Sequence, residues 1–242
     1  MLGIRASRAR TRKDQAVLGS RITLLRPGLT RYQDAWQLQR RMGDEVRAGA
    51  SPTLILLEHP PTYTLGARGL TRHLLASREL LAQRGAEVIE SDRGGDVTFH
   101  GPGQLVAYPI LDLRALGLGP VSYVRALEAT AMRALATFDI DAARVAGRPG
   151  VWVGDAKIAA IGVRISRGIT MHGFALNVST DLSWFDAIVP CGIADAGVTS
   201  MQRLLGRAPA MREVEDAVAE AFGAEFGVEL ADDAMLEVAG GR

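Results

Sequence analysis

The chain has 242 residues, of which 48% are hydrophobic and 23% charged, proportions that are ordinary for one globular domain. Its single cysteine excludes an internal disulfide and fits a reducing compartment. No apolar run approaches the ~20 residues of a membrane span, and the N-terminus lacks the apolar stretch of a secretory signal. We therefore expect a cytoplasmic protein that does not contact the membrane.

The net charge of +1 is unevenly distributed. Residues 1–13 contain five of the 28 basic residues and no acidic one, which leaves 23 basic and 27 acidic residues, a net charge of −4, for the rest. A folded body with this balance argues against nucleic-acid binding. We predict a disordered basic tail over residues 1–18, a single domain over residues 19–230 and a flexible C-terminal tail over residues 231–242.

The first half of the chain predicts short strands separated by two helices. Strands are predicted over residues 22–25, 53–60, 86–89, 97–99 and 105–110, where apolar runs end at proline or glycine. Helical spacing of apolar residues predicts a helix over residues 30–48, with Thr30 as its N-cap, and another over residues 77–84, ending at Gly85.

The second half predicts two longer helices around a group of strands. A helix over residues 120–138 has an apolar stripe formed by Val121, Val124, Leu127, Ala131 and Leu135. Strands follow over residues 151–153, 157–165 and 170–177, the first two joined by a Gly154-Asp155 hairpin turn, and a last helix covers residues 214–226. Many strands with helices on one side are typical of a two-layer α+β fold.

Cys191 lies in the segment IVPCGIADAGVTS, where Pro190 and Gly192 interrupt regular structure and favour a loop. Two interpretations stay open. A lone cysteine is commonly a small buried apolar residue, whereas a thiol on a loop is a candidate nucleophile.

Lys157 is the only lysine besides Lys13 in the N-terminal tail, because every other basic residue is an arginine. Arginine keeps its proton near neutral pH, whereas a partly buried lysine can exchange one. Strand alternation places Lys157 on the same face as Ala159 and Ile161. A lysine there favours the thiolate of a neighbouring cysteine, but it can equally be a strand-end residue that extends to water.

The segment SDRGGDVTFHGPGQLVAYP, residues 91–109, is the richest in glycine. Glycines let the backbone approach a ligand closely, although hairpin turns also require them. The segment has neither the P-loop pattern nor the dinucleotide-binding pattern. His100 and His172 lack the spacing of a metal site, so no metal is predicted, and His59, which precedes two prolines, is predicted to be structural.

Four motifs occur in order along the chain: RGGDVTFHGPGQLVAYP, AKIAAIGVR, HGFALN, and PCGI followed by VTS. Together they resemble the octanoyltransferases of lipoate synthesis, over about residues 22–226, with the basic N-terminal extension outside the family pattern. The resemblance implies the α+β catalytic domain of the biotin/lipoate protein ligase superfamily, with a largely antiparallel central sheet packed by helices.

The resemblance also implies a reaction without a cofactor. A monomeric enzyme would move an octanoyl group from octanoyl-acyl-carrier protein to a lysine on a lipoyl domain of a 2-oxoacid dehydrogenase or of the glycine-cleavage H protein. The cysteine of PCGI, here Cys191, would form an acyl-thioester intermediate, and the lysine of AKIAAIG, here Lys157, would lower its pKa and serve as acid and base. The family's substrate contacts fall here on Arg93, Gly94, Gly95, Asp96, Val97, Thr98, Phe99, His100, Ala160, Ile161, Gly162, Gly173, Phe174 and Ala175.

Three other interpretations remain. An ATP-dependent lipoate or biotin ligase of the same superfamily needs no cysteine, so the PCGI motif argues against it. A thioesterase would pair Cys191 with His100 or His172 and transfer the acyl group to water, and a binding scaffold would have no activity. Finally, we expect that some of four arginines near the motifs receive the acidic carrier protein: Arg144, Arg148, Arg164 and Arg167.

Overall fold

The computed structural model describes residues 21–69, 73–189 and 197–232. The predicted tail over residues 1–18 lies outside this part of the chain. The strands are β1 Arg21–Leu29, β2 Thr53–Glu58, β3 Thr62–Leu65, β4 Glu87–Glu90, β5 Val97–His100, β6 Gln104–Ile110, β7 Ala143–Val145, β8 Arg148–Val153, β9 Ala156–Ser166, β10 Ile169–Asn177, β11 Gly197–Val198 and β12 Glu229–Asp232. The helices are α1 Tyr32–Arg47, α2 Arg78–Gln83, α3 Pro120–Ala136, α4 Met201–Leu205 and α5 Met211–Phe226, and a 3-10 helix covers Leu182–Ala187.

A nine-stranded sheet forms the centre of the fold, in the order β12-β1-β2-β6-β10-β9-β8-β7, with β11 beside β9. The pairs β1–β12, β1–β2 and β9–β11 are parallel and the others antiparallel, so the predicted α+β class with a largely antiparallel sheet is confirmed. A second sheet of three strands, β4-β3-β5, lies beside it. Strand β12 reaches Asp232, two residues into the segment that the sequence assigned to the C-terminal tail.

Helices cover both faces of the large sheet, so the expectation of helices on one side was wrong. Helices α3 and α5 pack on the face that contains Leu54 and Leu56, and α1 packs on the face that contains Ile55 and Leu57. The reason is that β2 buries every residue from Thr53 to Leu57, so both of its faces need a covering layer.

Two local predictions on helices were also wrong. The N-cap of α1 is Arg31 rather than Thr30, whose hydroxyl donates instead to the carbonyl of Gly28 at 3.2 Å. Val121, assigned to the apolar stripe of α3, is 76% exposed, because it lies in the first turn, away from the sheet. Among the described helices, none combines the length and apolar character that crossing a membrane requires.

Candidate active site

A narrow cavity lies between β9, β10 and the glycine-rich segment, and it brings together most of the residues that the sequence predicted as substrate contacts. Its walls contain twelve of those fourteen: Arg93, Gly95, Asp96, Val97, Thr98, His100, Ala160, Ile161, Gly162, Gly173, Phe174 and Ala175. The other two lie elsewhere. Gly94 lines an adjoining groove, and Phe99 packs against Tyr63 and Trp184 beneath the small sheet.

The adjoining groove is wider and contains Lys157. Its volume is about 450 Å³, against about 40 Å³ for the cavity. It is lined by Arg68, Gly94, Gly95, Asp96, Val124, Gly147, Arg148, Pro149, Lys157, Ile161, Gly162 and Val163. The two spaces share Gly95, Asp96, Ile161 and Gly162, so a ligand can extend from one into the other.

Lys157 lies near the start of β9 and is only 8% exposed. Its Nζ is 4.9 Å from the centre of the Trp152 ring, and a Cβ on Gly150 would come within 3.2 Å of its Cε. Gly150, at φ +126°, therefore leaves the space that the lysine side chain occupies. The pairing of β8 with β9 shifts from Trp152–Lys157 to Val151–Ala159, so β9 has one extra residue there. This bulge interrupts the strand alternation from which the sequence predicted that Lys157 shares a face with Ala159.

Arg93 holds the glycine loop in place. It is 6% exposed, and its guanidinium donates to the carbonyls of Gly94 and Asp96 and to Thr64. The loop lies directly against β9, because the Gly94 N–H donates to the Val163 carbonyl at 2.9 Å. A Cβ on Gly162 would come within 2.9 Å of the Gly94 carbonyl, so this close approach requires glycine.

Histidines and tyrosines form one wall of the cavity, where Tyr32, Tyr108, His100 and His172 meet. His59 lies behind them, with Nδ1 2.6 Å from the Thr30 carbonyl and Nε2 2.8 Å from the Tyr108 hydroxyl. Burial lowers the pKa of His59 to about 4, so its Nδ1–H donates to the carbonyl and its Nε2 accepts from the tyrosine. Burial also holds the pKa of His100 well below its usual range and raises that of Tyr108.

His172 is neutral although it contacts a carboxylate. It is 1% exposed, and burial, together with Arg93, Arg164 and a further arginine, lowers its pKa to about 3. Its Nε2 lies 2.8 Å from Asp92, whose charge is already balanced by an ion pair with Arg164. The neutral ring therefore donates its Nε2–H to Asp92 and does not form a charged pair.

Asp96 connects the cavity to the chain that precedes Cys191. Its carboxylate accepts from the Val97 N–H and pairs with the Nδ1 of His73. The His73 carbonyl accepts from the N–H of Val189, the last described residue before position 190. The predicted nucleophile Cys191 lies outside the described residues.

On the other side of that gap, strand β11 lies directly beside Lys157 of β9. Val198 pairs with Lys157 in β11, and the Thr199 N–H donates to the Lys157 carbonyl at 3.0 Å. Among the residues that the structure describes, no three histidine, cysteine, aspartate or glutamate side chains form a cluster suited to a metal ion.

The four arginines that the sequence grouped as a docking surface have different surroundings. Arg144 donates to the buried carboxylate of Glu128 at 2.8 Å, and Arg164 pairs with Asp92. Arg167 lies in the turn between β9 and β10, with φ +54°. Of the four, only Arg148 lines the groove. The sequence grouped them by proximity, and proximity does not determine the side of a strand or turn on which a residue projects.

Several site residues were not predicted from the sequence. Tyr32, Val106 and Tyr108 line the cavity, and Arg68 lines the groove. Tyr108 and Val106 lie in LVAYPI, whose apolar character predicts a strand without indicating which residues face a cavity. Tyr32 and Arg68 lie far from the motifs in the sequence. Tyr32 of α1 meets them by stacking on His100 and His172, and Arg68 meets them because β3 pairs with β5.

Comparison with known proteins places the chain among relatives over most of its length. Residues 31–223 match the family described as the lipoyl protein ligase A/B catalytic domain. An octanoyltransferase from Koribacter versatilis is 51% identical over 211 residues, which cover 85% of this chain and 84% of the relative. One from Chloroflexus aurantiacus is 52% identical over 206 residues, covering 84% and 92%.

Solved structures share the fold at low sequence identity. A lipoate-protein ligase A bound with ATP has a TM-score of 0.68 at 18% identity, over 89% of each chain. A bipartite lipoate protein ligase from Thermoplasma acidophilum has a TM-score of 0.69 at 17% identity, over 89% of this chain and 87% of the other. These values show a common fold, and the cavity and groove described above lie within it.

Proposed function

The chain belongs to the octanoyltransferases of the lipoyl protein ligase A/B catalytic domain family, and we propose that this acyltransferase moves an octanoyl group from octanoyl-acyl-carrier protein to a lysine of a lipoyl domain. The observation that carries the proposal is the cavity itself, in which twelve of the fourteen residues expected to contact substrate line one space beside the groove of Lys157.

In this proposal the reaction has two steps, with Cys191 as nucleophile and Lys157 as acid and base. The Cys191 thiolate attacks the thioester carbonyl, the bond to the carrier's sulfur breaks, and Lys157 gives a proton to the leaving thiolate. The acceptor amine then attacks the new thioester, its proton passes to Lys157, and Cys191 leaves as thiolate. A thioester is already activated, so neither step needs a nucleotide.

The cavity suits the apolar part of such a substrate. Its walls include Val97 of β5 and four small or apolar residues of β9 and β10, where Ile161 pairs with Phe174 and Ala160 with Ala175. Burying the tail stabilises the complex by ~0.8 kcal/mol per methylene, and the groove provides the polar approach to Lys157.

The other interpretations have less support. A histidine with a pKa of about 3, as in His172, is a weak general base at neutral pH, which disfavours a Cys/His thioesterase. The ligases among the structural relatives share the fold at 17–18% identity, whereas the octanoyltransferases are about half identical to this chain. A ligase would also require ATP and free octanoate.

The test is to mix the protein with octanoyl-acyl-carrier protein without acceptor and to record intact and peptide mass spectra. We expect an octanoyl mass increment on the Cys191 peptide, absent in Cys191→Ser and slower to form in Lys157→Ala. Adding a lipoyl domain should then move the increment to its lysine.

Three outcomes would contradict the proposal. Octanoylation of the acceptor that persists in Cys191→Ser would exclude the thioester intermediate. Transfer that requires ATP and free octanoate would establish the ligase, and release of free octanoate in the presence of acceptor would establish the thioesterase.

A further inference from the structure

Two exposed arginines flank the groove that contains Lys157. Arg68 follows β3, where its backbone N–H donates to the Gly95 carbonyl at 3.1 Å, and Arg148 begins β8. With the other described residues, neither guanidinium forms an ion pair or a hydrogen bond. Arg148 does lie over the Trp152 ring, at 6.0 Å from its centre. Both charges therefore remain available to a ligand in the groove.

The charge of the groove is positive, in contrast with the rest of the folded body. Arg68, Arg148 and Lys157 face one carboxylate among the lining residues, Asp96, which is held by His73 and by the Val97 N–H. Several arginines outside the groove are paired with acids, as Arg144 is with Glu128 and Arg31 with Glu87. A groove with this balance attracts an anion.

We propose that Arg68 and Arg148 bind the phosphate of a phosphorylated pantetheine arm, the arm that presents an acyl thioester to Lys157. The proposal rests on the function proposed above and adds the group by which the donor is recognised. Guanidinium groups match the geometry of phosphate oxygens and bind them with charge-assisted hydrogen bonds. The groove volume of about 450 Å³ lies within the ~300–1,000 Å³ of small-ligand sites.

The distances along the groove agree with the length of such an arm. Gly150 lies beside the Lys157 side chain, since a Cβ at this position would come within 3.2 Å of the lysine Cε. Arg148 is two residues before Gly150 on β8, ~7 Å away along the strand. An extended pantetheine arm is about as long as four extended residues, ~14 Å. With its thioester at Lys157, its phosphate would lie within reach of the Arg148 side chain.

The experiment compares octanoyl-phosphopantetheine with octanoyl-pantetheine as donors, with a lipoyl domain as acceptor. We expect the kcat/KM of the unmodified protein to be at least ~10-fold higher with the phosphorylated donor, because charge-assisted hydrogen bonds to phosphate are strong. The double variant Arg68→Gln/Arg148→Gln should reduce this ratio to below about 2-fold. Arg41→Gln, an exposed arginine of α1 outside the groove, is the matched control and should keep the full ratio.

Intact octanoyl-acyl-carrier protein is the third donor. It distinguishes binding of the phosphate from binding of the carrier protein's surface. If the double variant slows transfer from the carrier but not from the free phosphorylated arm, the arginines bind the carrier's surface and the proposal is wrong. Equal rates with the two free donors, or a ratio that persists in the double variant, also overturn it. Failure of transfer from every octanoyl thioester would instead contradict the proposed function.

Discussion

The cavity and the groove share one loop but differ in how their charged groups are exposed. Arg93 and the histidines of the cavity are buried, whereas the groove has exposed arginines. In the cavity, the charged guanidinium of Arg93 is held by carbonyl groups, and burial keeps His100 and His172 neutral. In the groove, Arg68 and Arg148 are exposed beside Lys157. In the function proposed above, the apolar tail of the substrate would enter the cavity and its polar arm the groove, because each space matches one part in polarity.

Of the changes considered, replacing Lys157 in the groove should have the largest effect. Both Lys157→Ala and Lys157→Arg should lower kcat by ~10²–10⁴-fold, because arginine keeps the positive charge but does not release a proton near neutral pH. Single-turnover formation of the octanoyl-enzyme measures the loss. Lys13→Arg changes the only other lysine, in the N-terminal segment, and is the matched control.

A Lys157→Arg variant as active as the parent would show that only the charge is needed, and that Lys157 does not transfer protons. Activity lost in Lys157→Ala but restored in Lys157→Arg would give the same conclusion. A fall in thermal stability that parallels the fall in rate would instead indicate misfolding, so both variants should be melted beside the parent protein.

Acid should lower the stability of the folded protein, because the buried histidines near the cavity resist protonation while the folded state persists. The pKa values of His59, about 4, and His172, about 3, lie below that of an unfolded chain. As the pH falls below ~6.5, the unfolded chain binds protons that the folded protein does not, so stability is lost. At about pH 5 the loss is roughly 2 kcal/mol for each of these residues.

The measurement is the free energy of unfolding by urea at pH 7 and at pH 5. In His59→Gln the difference between the two values should be smaller than in the parent by about one histidine's share, roughly 2 kcal/mol. The variant is needed because burial raises the pKa of Glu215, which has the opposite effect on stability as the pH falls. An unchanged difference would mean that His59 is protonated in the folded protein.

The sequence predicts local elements of this site well and its assembly poorly. The Gly154-Asp155 hairpin was predicted because glycine in a two-residue turn has a specific geometric role, and β8 and β9 follow from it. The resemblance of the motifs supplied the residues that the cavity brings together. Neither the turn nor the motifs predict that β1 pairs in parallel with β2 and β12. Leu24 and Asp232, for example, are partners in the sheet but lie far apart in the sequence.

The errors have related physical causes. Thr30 has the chemistry of an N-cap, but its hydroxyl donates to the carbonyl of Gly28, near the end of β1. The arginines were grouped by their closeness in the sequence, whereas Glu128 and Asp92 hold two of them at separate places. The sequence does not show which carboxylate pairs with each arginine, because the partners are brought together only by the tertiary fold.

A substitution that narrows the cavity and leaves the groove unchanged should have a smaller effect than replacing Lys157 or lowering the pH. Ala160 lines the cavity from β9 and does not line the groove. In Ala160→Leu, the larger side chain should exclude about two methylenes of the octanoyl tail, at ~0.8 kcal/mol each, which corresponds to about a 15-fold loss in kcat/KM. A butanoyl thioester, too short to reach the blocked part, should lose little and is the internal control. An equal loss for both donors would mean that the tail does not lie beside Ala160, and a preference for the longer chain in the variant would mean that the acyl group binds elsewhere.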